Sequence, residues 1–363
     1  MKDRLLVVAA SGEVLEGVRI FPHEVASNER GAKREQGARS SNDPISFHIS
    51  FHWLCRNDSD VELSLAVATA NDLPTMEEIA QTLKKYDEEY IRQNFTDAAS
   101  INAFALSFYK DAADIYDAVT RVRNLERNPH GFDLHDAPIL GLLVRVWKLL
   151  KEVLKYYEQD NAEIISVLER PLIEASVVAT YLMQNDNSVV EDYRKCSYKD
   201  RLRILRDLES GSPFLESKAG KRLLTSVREK MLNERLTTED FDQQKENHWK
   251  VQGKSFYKIF ALVEHADLYA CTYGMMSESI HGSWNESMDY CLSRNTDGTY
   301  STFPFFQPAD VRFVSPTLRF ASKPFKLWLA RIEADDPNLM RALDWIDRVN
   351  TAIFRKFDET YDG

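Results

Sequence analysis

No apolar run in this chain comes near the roughly 18 residues that a membrane-spanning helix needs, so a membrane protein of the helical kind is not expected. The N-terminal "MKDRLLVVAASGEV" holds only a short apolar stretch before polar residues return, which reads as a strand rather than a signal peptide. Cysteine is scarce. Cys55, Cys196, Cys271 and Cys291 stand apart, with no C-x-x-C pair. That spacing argues against a zinc ribbon or a redox dithiol and points to a reduced, cytoplasmic protein. An excess of positive charge is also missing. Lys and Arg number 46 against 57 Asp and Glu, a net charge of −11, whereas a dedicated duplex-DNA binder is usually basic. Internal repeats and low-complexity tracts are absent too.

What remains is an ordinary globular composition, 44% apolar and 28% charged over 363 residues, enough for a core without staples. Residues 1–70 carry β signals. "RLLVVAA" and "EVLEGVRIF" flank a Ser11-Gly12 turn, and "ISFHISFHWLC" alternates Phe47, Ile49, Phe51 and Trp53 against His48, Ser50 and His52. The hydrophobic period changes at Asp72-Leu-Pro74-Thr75, where Thr75 and Glu78 have capping-box spacing. Helical periodicity then runs to about residue 290, with Pro171 expected to kink or restart a helix and "SFYKIFALVEHADLYACTYGMMSESIHG" read as one long helix capped by Gly282. Two further helices follow, the second opened by Asp336-Pro337. The expected fold is mainly α: an N-terminal β unit (1–75), a helical bundle (76–290) and a C-terminal helical extension (291–363).

Three pieces of the bundle carry polar residues at helical spacing: "RPLIEASVVATYL" at 170–182, "HWKVQGKSFYKI" at 248–259 and "YGMMSESIHGS" at 273–283. Arg170 and Glu174 lie four apart on one face and can pair. Tyr273, Ser277 and His281 repeat the same spacing, which His265 and Tyr269 extend upstream. In this order the three pieces resemble a widespread bacterial family of unknown function, numbered fifty-six seventy-seven, over roughly residues 140–290. The resemblance implies a helical fold and no settled activity. Physically, the residues are either a buried polar seam whose members satisfy one another or a pocket in which His281 acts as acid and base, oriented by Glu174 or Glu278.

Other constellations fail on spacing. Glu278-x-x-His281 is the unit of di-iron bundles, but those need a second such unit and two more Glu, and the chain has no second Glu-x-x-His. "GKS" at 253–255 lacks the Walker glycine, His248 standing in its place, and Ser255 is better placed as a helix cap. His48 and His52 could join His23 around a metal, though no carboxylate or cysteine completes a ligand set. No metal or cofactor is expected.

Last comes "RNLERNPH" at 123–130. Arg123, Asn124 and His130 match, at its longest spacing, the motif of the HEPN superfamily (higher eukaryotes and prokaryotes nucleotide-binding), whose members include metal-independent ribonucleases; the motif is an Arg commonly followed by a polar residue, with four to six residues between the Arg and a His. The resemblance implies that Arg123 would hold phosphorane charge, that His130 would move a proton, and that two subunits would pair. Pro129 departs from this pattern by placing His130 in a turn. The plain alternative is a helix end followed by an Asn-Pro turn. Between Arg194 and Lys230, eleven Lys and Arg face five Asp and Glu, which offers RNA a surface despite the global charge. Two function classes therefore stay open: an enzyme, using Arg123 and His130 or the group of His281, Glu278, Glu174 and Arg170, and a binding scaffold, with a stress or phage-defence role by analogy only.

Overall fold

A computed structural model of the chain describes residues 4–8, 14–19, 76–334 and 336–361. His23, His48, His52, Cys55, the alternating stretch at 47–53 and Thr75 of the capping box lie outside the described residues. The described chain divides into two compact units. One holds the antiparallel pair β1 (Arg4–Val8) and β2 (Val14–Arg19) together with residues 200–237; the other holds residues 76–199 and 238–361. The protein is mainly α, as the change of hydrophobic period predicts.

In the first unit, α7 (Lys199–Glu209) and α8 (Lys218–Asn233) are joined through a 3₁₀ turn at Pro213–Glu216. Ser217 caps α8 by accepting from Gly220 N–H, and Arg228 reaches Glu209 at 2.7 Å.

The second unit starts with α1 (Met76–Lys85) and α2 (Glu88–Asn94), divided where Asp87 leaves helical geometry and caps α2. Then come α3 (Ala98–Arg121), α4 (Ala137–Glu158), α5 (Ala162–Met183) and α6 (Asn187–Cys196). Asp97, Asn161 and Asp186 cap α3, α5 and α6 with their side chains, satisfying backbone donors that a helix start leaves free. After the short α9 (Asp242–Glu246) the chain forms α10 (Phe256–Val263), α11 (Met276–His281) and α12 (Trp284–Tyr290). A small hairpin follows, β3 (Leu292–Arg294) with β4 (Tyr300–Thr302), and then α13 (Val311–Arg331) and α14 (Pro337–Thr360).

The core forms where α3, α4, α5, α13 and α14 pack together. Tyr109 and Tyr116 of α3, Leu143 and Leu150 of α4, Leu172 and Val177 of α5, Phe325 and Trp328 of α13 and Ile346 and Ile353 of α14 are all buried in it. Tyr116 stacks on Phe325 with ring centroids 4.4 Å apart and bonds Ser322 at 2.7 Å. The C-terminal pair, read from the sequence as an extension, comes late in the chain yet supplies central faces of this core. Pro171 sits inside α5 without ending it. Proline removes the bond to the Val167 carbonyl, and Val167 is exposed, so water can take that acceptor.

The helix expected over 255–282 is instead broken. Helix α10 stops at Glu264, and a π-helical turn at Ala270–Gly274 precedes α11. The cause is tertiary. Lys323 of α13 donates to the Val263 carbonyl, and Lys323 and Arg319 both reach the Glu264 carboxylate, so the cations of α13 close the end of α10. Gly282, with φ of 60°, takes the left-handed position after α11 that the sequence assigned to it.

Candidate functional site

The residues of the first and third motifs meet between α5 and the segment 270–281. Arg170 donates through Nη1 to His281 Nε2 at 3.3 Å and through Nη2 to the Tyr273 hydroxyl at 3.0 Å, with its guanidinium 4.6 Å from the Tyr273 ring centroid. Tyr273 in turn donates to Glu174 Oε2 at 3.0 Å. Ser277 donates to the Tyr273 carbonyl at 2.8 Å. Arg170 and Glu174 are therefore joined through the tyrosine hydroxyl rather than paired directly. Neither Glu174 nor Glu278 is hydrogen-bonded to the His281 ring; its partner is Arg170. Because arginine only donates, Nε2 must present its lone pair, which puts the ring proton on Nδ1 in the neutral imidazole. His265 stands apart, exposed and paired with Asp267 at 3.4 Å.

The cluster is a surface feature, not the mostly buried seam expected. Tyr273 is buried, Arg170 and Ser277 are half-buried, and Glu174, Glu278 and His281 are exposed. Helical spacing fixed the shared face but not the depth, because the short α11 covers α5 only in part. Burial pushes the Tyr273 hydroxyl up to about 12, so it stays protonated and can keep donating to Glu174. The π-helical turn that carries Tyr273 is a local distortion of the kind often found at functional sites. Gly274 suits it, since a Cβ there would lie 3.2 Å from the Tyr269 carbonyl oxygen, a tight contact that a larger residue would relieve only by a small shift. The Tyr273 ring packs at 4.3 Å against Phe256 at the start of α10, which connects the second motif to the other two.

That second motif is a strained knot. His248, Trp249, Gln252 and Gly253 all have positive φ, between 51° and 67°. Buried Asp192 of α6 holds the knot by accepting from the Gln252 N–H and from the Gln244 amide, and Cys196 donates to the same glutamine. Trp249 stacks on Phe241 at 5.9 Å, and Ser255 caps α10 as the sequence suggested. Apart from the Gly253 signal, nothing in the sequence pointed to the three non-glycine residues with positive φ.

The stretch 123–130 is arranged differently. Helix α3 ends at Arg121, so Arg123 and His130 both lie in the connection to α4, and both are exposed. Among the described residues no hydrogen bond or ion pair joins them. The ordered groups of this connection are their neighbours. Asn124 accepts from the N–H groups of Glu126 and Arg127 and donates to the Glu333 carbonyl. Buried Asp136 pairs with Arg127 at 3.1 Å and with Arg331 at 2.7 Å. The connection is thus a clasp onto the end of α13.

In the basic stretch 194–230, Arg194 pairs with Glu191, Lys195 with Asp240, Arg203 and Arg206 with Asp207, and Arg228 with Glu209. Much of its charge is answered locally.

Two polar features escaped the sequence reading. Glu169, beside Arg170 in the chain, is buried with Oε1 lacking any partner, and burial pushes its carboxyl well above the usual carboxylate range. A cleft of about 500 Å³ opens among Asn102, Tyr290, Gln307, Asp310, Arg312 and Tyr361. No residue of the Arg170–His281 cluster lines it, so this cleft and the cluster lie in different places. No described helix is long and apolar enough to cross a membrane.

Fold and site together define a mainly α protein with an Arg–Tyr–Glu–His cluster where α5 meets the segment 270–281. Residues 136–299 match a family described as a family of unknown function (DUF5677), in agreement with the resemblance carried by the three motifs. The match spans α4 to β3 and the turn after it and so contains the whole cluster and the knot, while Arg123 and His130 fall outside it. No curated protein and no solved structure matches the chain.

Proposed function

We propose that the Arg170–His281 face is the reactive centre of an acid–base hydrolase acting on an anionic phosphoester. The observation that carries this reading is the 3.3 Å contact from Arg170 to His281 Nε2, made on a solvent-facing surface. A cation already placed against an imidazole lone pair can swing to a phosphoryl oxygen. The swing hands the lone pair to a water molecule or hydroxyl, whose proton His281 takes and later returns to the leaving oxygen. Tyr273 and Glu174 are positioning groups: the buried hydroxyl holds the guanidinium from one side and is itself held by the carboxylate. In the test, purified protein is incubated with bis-p-nitrophenyl phosphate and with single-stranded RNA, with and without EDTA. His281→Ala is expected to lower the rate by roughly 10²–10⁴ while the melting temperature stays in place. Equal rates for wild type and His281→Ala would remove the proposal.

A scaffold function is the second reading. Trp284, Phe305 and Phe306 are 58%, 68% and 64% exposed, and Trp284 packs edge-on against Tyr300 at 5.6 Å, an aromatic surface of the kind that marks a partner site. Sedimentation of wild type and Trp284→Ser across a concentration series tests whether a second copy uses it. A monomer at all concentrations would count against self-association.

A further inference from the structure

From Asn247 to Val263 the sequence holds Lys250, Lys254 and Lys258 and not one Asp or Glu, in a chain whose net charge is −11. None of the three ammonium groups has a carboxylate partner among the described residues. Lys250 and Lys258 are exposed; Lys254 is half-buried, its Nζ 6.0 Å from the Tyr181 ring centroid. This segment is also fixed in place. Buried Asp192 holds Gln252, one of the four positive-φ residues of the knot, and the Gln244 side chain, while the Trp249 N–H bonds the Gln244 carbonyl; strained backbone of this kind persists where the surroundings over-determine it. Phe256 joins the segment to Tyr273, and Tyr257, 49% exposed, sets its ring edge-on to Tyr269 at 4.9 Å. Tyr181 and Arg170 stand on one face of α5, eleven residues apart, or roughly 16 Å along the axis at about 1.5 Å per residue.

We infer that the lysines of the 248–258 knot and Arg170 form one track for the phosphates of a single-stranded nucleic acid, running past the hydrolytic cluster. The inference rests on the phosphoester reading of that cluster and names its substrate class. A lone phosphate cannot span cations so far apart, whereas a polynucleotide meets them with successive phosphates. No acid separates Lys250, Lys254 and Lys258 in the sequence, so nothing within that segment repels the chain; on α5 the exposed carboxylate of Glu174 lies beside the track and accepts from the Tyr273 hydroxyl. An exposed tyrosine beside the cations gives an unpaired base a face to stack on, which a duplex does not offer. The stretch 194–230, where much of the charge is already neutralised, is the weaker candidate.

The test measures binding, not turnover, so that it fails separately from the hydrolase proposal. Fluorescence anisotropy of labelled oligouridylate and oligothymidylate is followed with the full chain from about 50 to about 200 mM salt. Four contacts at about 0.7 each predict a log–log salt slope of about −3 for wild type. Lys250→Ala, Lys254→Ala and Lys258→Ala combined should bring it to about −1, and the corresponding Lys→Arg triple should restore it, with thermal melts confirming that both variants fold. An unchanged slope in the alanine triple overturns the inference. So does loss of binding only in Lys218→Ala, Lys221→Ala and Arg222→Ala, or lysine-dependent binding to phosphatidylserine vesicles with none to oligonucleotide. Oligonucleotide bound through these lysines but never cleaved would leave the track standing and refute the hydrolase.

Discussion

Two places in this molecule put an arginine and a histidine in reach of one reading, and they are built on opposite principles. At 123–130 the two residues are close in sequence and unconnected in space. At Arg170 and His281 they are 111 positions apart and hydrogen-bonded. The first region spends its ordered groups on holding the chain: Asn124 on a carbonyl of the 333 turn, Asp136 on two arginines, Arg127 on the Arg331 carbonyl. The second leaves a histidine, a carboxylate and part of an arginine at the surface, where their contribution to stability is small and their access to solvent is good. A motif read along the chain measures proximity in sequence; reactive chemistry depends on proximity in space together with exposure.

The contrast would break most visibly at Asp136. Its carboxylate is buried between Arg127 and Arg331, so Asp136→Ala leaves two cations partly desolvated and without that carboxylate. Both arginines keep other acceptors and some water, so the loss is that of charged hydrogen bonds, about 1.5–3 kcal/mol. Urea denaturation should show that loss with little change in slope, while any activity dependent on His281 survives in the fraction still folded. A loss below about 1 kcal/mol would mean that the clasp is not structural and that the first region needs another role.

The next effect sharpens the second region. Glu169 is buried beside Arg170, and burial raises its folded-state pKa well above the ordinary carboxylate value of 4.5. The folded protein therefore holds a proton there that the unfolded chain releases above that value. With more protons bound in the folded state, stability is full below about 4.5 and declines as pH rises toward the folded pKa, by at most about 1.4 kcal/mol per pH unit. Melting temperatures of Glu169→Gln should lack that decline, and the difference from wild type should widen as pH rises from about 4.5 toward the folded-state pKa. Parallel curves would show that Glu169 is solvated or paired in solution.

Smaller again is the effect of Tyr273→Phe. It removes the hydroxyl that joins Arg170 to Glu174 but keeps the ring against Phe256. A loss of about 1 kcal/mol is expected. If the tyrosine positions the guanidinium for catalysis, the variant should lower the turnover of the hydrolase and leave the pH at half-maximal rate unchanged. A stability loss with full turnover would make the cluster a strut.

These outcomes bear on what the sequence could disclose. Helix starts were legible at Ser255 and at Asp336-Pro337, where a local side chain caps the helix, and the shared faces of Arg170 with Glu174 and of Tyr273 with Ser277 followed from a period of 3.6. The interruption at Glu264 was not legible, because Lys323 and Arg319, nearly sixty residues downstream, impose it. The π-helical turn and the knot at 248–253 were hidden for the same reason: three of the knot's four positive-φ residues are not glycine, and buried Asp192 pins it from another helix. Depth was misread as well. Periodicity tells which residues share a face but not how far the neighbouring helix extends over it, so a cluster expected to be mostly buried proved open at His281 and Glu174.

The smallest expected effect returns to the first region. Arg123 and His130 are exposed, and neither side chain is hydrogen-bonded or ion-paired among the described residues, so nothing couples them to the core. Surface substitutions away from caps, cores and networks stay within about 0.5 kcal/mol. Arg123→Ala, His130→Ala and the double variant should therefore melt with wild type, and their effects should add, since residues without shared partners do not couple. The same three proteins, assayed on single-stranded RNA, separate the two Arg–His constellations directly. If any cleavage is unchanged by the double variant and lost in His281→Ala, the spatial pair carries the chemistry. If cleavage is lost in His130→Ala and kept in His281→Ala, the motif read along the chain was the functional one, and the loop between α3 and α4 must then bring Arg123 and His130 together in a conformation other than the one described.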